Sequence, residues 1–143
     1  MPVPHKRPAV ALALVLSWCV AACGPSGDED RSPRPSGALG PVPAEAAAEA
    51  LRGLCDLRSV TDRVEAEAIF LDRSHATLHV IAAATEVRNR GAAADLLEAK
   101  QRVESGLAGA DLPPDFAADV GALIEATHAA LEAIGVEVPP CPI

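Results

Sequence analysis

From Val64 to Thr85 the inward-type residues fall at Val64, Ala68, Leu71, His75, Leu78, Ala82 and Thr85, spaced alternately four and three apart without a break. That spacing marks one face of an α-helix. It predicts a single long helix from about Thr61-Asp62, whose hydroxyl and carboxylate can cap exposed amides, to about Arg88, with Asn89-Arg90-Gly91 as the stop. Three further stretches carry the same period. A first helix is expected over about Ala44 to Leu57, after Pro43, with Leu51, Leu54 and Cys55 inward. A third is expected over about Ala92 to Ala108, with Leu96, Ala99, Val103 and Leu107 inward. The fourth opens at Pro113-Pro114, presents Phe116, Val120, Leu123, Thr127, Leu131 and Ile134, and ends at Gly135. No segment alternates with the period of a strand. Short connections make neighbouring helices antiparallel, so the expected fold is all-α, an up-down four-helix bundle occupying residues 44–143. Phe70 and Phe116 are its only aromatic rings apart from histidine, which leaves an aliphatic and alanine core with little to stack a flat cofactor against.

Ahead of this body, His5-Lys6-Arg7 precedes an apolar run from Ala9 to Ala22 broken only by Ser17. A bilayer-spanning helix needs about 20 apolar residues, whereas an export signal has a cationic start and a core of roughly 7 to 15. The run closes on "VAAC", Val20 to Cys23, which resembles the lipobox of bacterial lipoproteins. The resemblance implies that residues 1–22 are a signal peptide, that signal peptidase II cuts before Cys23, and that the Cys23 sulfur carries diacylglycerol. Cys19 follows the indole of Trp18 and does not fit that pattern. An uncleaved anchor, or an ordinary signal with a coincidental cysteine, is the alternative. Residues 23–43 are rich in Pro, Gly and Ser and read as a flexible, lipid-anchored tether. Two acyl chains suffice for stable anchoring where one does not. The expected place is therefore the cell membrane, on its extracytoplasmic face.

"FLDRSHATLH" and "LLEAKQRVE" look similar to segments of small uncharacterised lipoproteins of high-G+C bacteria. That resemblance implies a lipid-anchored helical body and no particular activity. The heavy use of Ala, Arg, Gly and Pro, with Lys100 the only lysine beyond the signal, agrees with such a source.

Two cysteines remain beyond Cys23. In an oxidising compartment Cys55 and Cys141 are expected to pair, free thiols being the alternative. The tail "GVEVPPC" must then turn back along the bundle, with Val136 or Val138 packed on it. Loss of Lys6 and Arg7 with the signal lowers the basic residues from twelve to ten against twenty acidic ones, a net charge of −10. That balance argues against nucleic acid and anionic lipid headgroups as partners.

All three histidines beyond the signal lie within predicted helices. "DRSHATLH" sets Asp72, His75 and His79 on one helical face, and "EATHAALE" sets Glu125, His128 and Glu132 at the same spacing. In an up-down bundle the second and fourth helices run parallel, which brings His75 and His128 to nearly one height. A divalent ion such as zinc or copper, held by His75, His79 and His128 with Asp72 or Glu125, is one expectation. Histidines packed and hydrogen-bonded in a core are the other. The charges of "LLEAKQRVESGL" read as a solvated face or as a surface that meets a partner protein. Phosphate loops and nucleophile elbows are absent from the sequence. The reading that follows is a non-enzymatic interaction or structural module of the cell envelope, with a metal-binding lipoprotein as the alternative.

Overall fold

The computed structural model describes residues 41–141, so the expected signal peptide, Cys23 and most of the expected tether lie outside the described residues. The described residues form four helices and no strand: α1 (Ala44–Leu57), α2 (Arg63 to Glu86), α3 (Arg90–Leu107) and α4 (Phe116–Ile134). Each boundary has a local cause. The Pro43 carbonyl accepts the Ala47 amide at 3.0 Å as α1 opens. Asp62 Oδ1 accepts the Glu65 amide at 2.8 Å at the start of α2. Asn89, expected to stop the second helix, instead caps the third, its Oδ1 accepting the Ala92 amide at 3.1 Å. Gly135 takes φ of 75°, the left-handed conformation that glycine adopts at no steric cost, and the Val136 amide reaches back to the Leu131 carbonyl at 2.9 Å.

The helices pack as a bundle in which α2 lies against all three others, α4 lies against all three others, and the backbones of α1 and α3 stand apart. The core joins Leu51, Leu54 and Leu57 of α1 to Phe70, Leu78 and Ile81 of α2. From the other side come Leu96, Val103 and Leu107 of α3 and Phe116, Val120, Leu123 and Leu131 of α4. Inner faces expected for the third and fourth helices are buried, apart from Ile134, which is half-buried. Val42 is also buried, at 6% exposure. The packed body therefore begins inside the stretch assigned to the tether.

The long second helix departs from the expected face. Val64 and Leu71 are 63% and 51% exposed, and the buried row in that half is Ala66, Phe70, Ser74 and Leu78. Those positions are four apart, and on an ideal α-helix such a row would drift by about 120° over its twelve residues. Between α-helical Arg63–Ile69 and Ala76–Glu86, the segment Phe70–His75 is π-helical. Its i→i+5 ladder widens the turn and takes in one residue more than an α-helix would. The drift is absorbed there, and the expected row Leu78, Ala82 and Thr85 is buried beyond it.

Against α1 the π segment has a specific seat. A Cβ on Gly53 would stand 2.6 Å from Ser74 Oγ and 2.9 Å from Arg73 Cβ, so only glycine lets the backbones come this close. Ser74 Oγ donates to the Ala50 carbonyl at 2.9 Å. Beside it Arg73 reaches Glu49 at 2.8 Å and Asp56 at 2.6 Å, which raises the affinity of Arg73 for its proton through Asp56 first and Glu49 second. Glu49 is held below its ordinary carboxylate pKa by Arg52 and Arg73.

Candidate functional site

Cys55 lies near the end of α1, and the tail beyond Gly135 returns to it. Cys55 and Cys141 form a disulfide, with Cα atoms 5.6 Å apart and a sequence separation of 86. Val136, Val138 and Cys141 pack, partly buried, against the core, as the expected course of the tail required.

The ionisable cluster of the bundle sits between α2 and α3. Lys100 of α3 keeps only 4% of its side chain exposed and pairs with Glu104 one turn on, Nζ to Oε1 2.6 Å. The same oxygen lies 3.0 Å from Nδ1 of His75, the last residue of the π segment. That nitrogen is buried and lacks the alignment a hydrogen bond needs. The His75 ring is edge-on to Phe70 at 5.7 Å and 87°, and to His79 at 4.9 Å and 71°. His79 is held below its ordinary pKa, first by desolvation against its neighbours, then by the charges of Lys100 and His75, with Glu104 opposing. Although the residue as a whole is exposed, its ring favours the neutral form. Ser74 turns its hydroxyl away to Ala50, so it is not a nucleophile paired with the adjacent imidazole.

His75 and His79 thus come together as expected, but against α3. His128 lies elsewhere, lining a recess with Glu132, Gly135, Val136, Glu137 and Val138. Asp72 and Glu125 are exposed. Among the described residues no group of three or more His, Cys, Asp or Glu side chains is placed to hold a metal ion, so the five expected ligands do not form one site. Lys100 departs from the expectation that the charges of "LLEAKQRVESGL" form a solvated or partner-facing surface, since it is buried. The sequence carries a signal for this: Leu96, Lys100, Val103 and Leu107 fall at i, i+4, i+7 and i+11, which sets the ammonium on the apolar stripe.

Further along the same seam, toward the α2–α3 connection, the two helices enclose a recess of about 310 Å³. His79, Ala83 and Glu86 stand along the α2 wall, with Arg90, Ala94 and Leu97 along the α3 wall. No helix among the described residues is long and apolar enough to cross a membrane. The chain matches no family model, no curated protein and no solved structure.

Proposed function

We propose that this chain is a lipoprotein held on the extracytoplasmic face of the cell membrane by diacylglycerol on Cys23. Its disulfide-stapled helical body serves as a non-enzymatic interaction or structural module of the cell envelope. The observation that carries the reading is the fate of the cysteines. Cys19 belongs to the signal, Cys23 completes "VAAC", and Cys55 and Cys141 pair, a use of thiols that suits an exported protein in an oxidising compartment. The finer architecture is the up-down order of a four-helix bundle, supported by the short connections between successive helices. Partners are the membrane, through the lipid, and a second protein of the envelope; the acidic balance of the chain disfavours nucleic acid. Against the zinc or copper alternative, His75 and His79 stand together beside α3 while His128 lines a separate recess with Glu132.

Metabolic labelling with a fatty-acid analogue tests the anchor. The wild-type chain is expected to take up label and to sediment with membranes, and Cys23→Ser to do neither. Label and membrane retention in Cys23→Ser would overturn the reading.

A further inference from the structure

The recess between α2 and α3 is unlike the rest of the surface. In a chain of net charge −8, its lining holds one carboxylate, Glu86, one guanidinium, Arg90, and His79, which favours its neutral form. The other lining residues are Ala82, Ala83, Ala93, Ala94 and Leu97. Ala82 and Ala93 are buried at its floor, and the outward Ala83 and Ala94, one on each wall, let another helix approach closely. Leu97 is 43% exposed; Val80, 37% exposed, stands three residues before Ala83 on the α2 surface, and Val87, 86% exposed, caps the end of α2 four residues after it. Among the described residues neither Glu86 nor Arg90 forms an ion pair. One projects from the end of α2, the other from the start of α3.

We propose that this face is a self-association surface, occupied by the same face of a second copy. A two-fold axis along the groove lays α2 of one copy on α3 of the other, antiparallel. Because Glu86 and Arg90 sit at the same end of the groove on opposite walls, the operation sets Glu86 of each copy against Arg90 of its mate, satisfying both charges twice. Such reciprocity is the property an isologous interface requires. Local neutrality matters as much, since elsewhere two copies of so acidic a chain repel one another. The inference does not depend on the lipid anchor.

Charge exchange tests it with the full chain purified in detergent, read by sedimentation and by co-purification of tagged with untagged copies. Wild type is expected to self-associate. Glu86→Arg alone and Arg90→Glu alone place like charges together twice, and each is expected to weaken self-association by about tenfold or more. Mixing the two variants sets a copy with two guanidiniums at this end of the groove against a copy with two carboxylates there. Both contacts across the axis then join opposite charges again, so the mixture is expected to associate as wild type does. A wild-type chain that stays monomeric would overturn the proposal. So would single variants that associate normally, or a mixture that fails to recover while each variant keeps wild-type helicity.

Discussion

Lys100 is the residue whose surroundings differ most from what its chemistry suggests. Its ammonium is nearly sealed between α2 and α3, while its partner Glu104 keeps 37% of its side chain exposed. The two ends of the pair are therefore unequal. Removing the buried end, in Lys100→Met, leaves a carboxylate that water still reaches and fills the site with an apolar chain, so stability is expected to stay within about 1 kcal/mol of wild type. Removing the exposed end, in Glu104→Ala, strands a buried cation, and a loss of roughly 2–3 kcal/mol is expected, below that of a fully buried pair. Urea denaturation ranks the variants, and a Lys100→Met loss equal to or larger than that of Glu104→Ala would contradict the assignment. His79 supplies a pH signature at the same seam. Its folded pKa lies below its unfolded value, so its contribution is fully present above about pH 6.5 and is lost as pH falls, because the unfolded chain takes up the proton first. In His79→Asn the fall in stability between about pH 7 and 5 should become shallower; an unchanged slope would show that the seam does not disfavour the charged ring.

At the scale of elements, α2 shows where sequence reasoning holds and where it fails. Periodicity located all four helices, and the stripes of α3 and α4 lie inside as their spacing indicates. In α2 the 4-3-4 stripe through Val64, Ala68 and Leu71 is a genuine helical pattern, yet it faces water, because a competing row at Ala66, Phe70, Ser74 and Leu78 fits the core once a π turn takes in one extra residue. Two things select that row. Phe70 is one of only two aromatic rings available to fill the core, and Ser74 fits the space left by Gly53. Neither is visible in a single helix read alone. The candidate site failed for the same reason: the residues facing His75 depend on rotation of α2 about its axis, and the π turn aims His75 at Lys100 and Glu104 of α3 rather than at His128. If the extra residue is the cause, deleting exposed Leu71 converts the buried row from 4-4-4 to 4-3-4, the spacing of an ordinary α-helix. That deletion should fold and retain most of its thermal stability, whereas deleting Leu97 shifts the buried half of α3 out of register and should unfold the chain. Equal damage from both deletions, measured by circular dichroism melting, would refute this account of the π segment.

For the whole molecule, the bond between Cys55 and Cys141 encloses α2, α3 and α4 in one covalent loop anchored on α1. The α1 and α3 backbones stand apart, so α1 is held chiefly by α2, α4 and the returning tail, and the bridge ties together the first and last parts of the body. Two contributions can be separated. Val136 and Val138 pack the tail on the core whether or not the sulfurs are joined, so the folded form should survive loss of the bond. The larger effect falls on the unfolded chain, where a link across 86 residues removes conformational freedom worth on the order of 4 kcal/mol on the chain-entropy model. Cys55→Ser/Cys141→Ser is therefore expected to keep its helical content, to lose stability of that size, and to unfold with a steeper dependence on urea, because an uncrosslinked chain exposes more surface. A steeper slope together with reduced stability identifies the unfolded state as the seat of the effect. Loss of helical content without denaturant would place the stabilisation in native contacts of the tail, and a change under about 1 kcal/mol with an unaltered slope would show that the bridge does not constrain the chain.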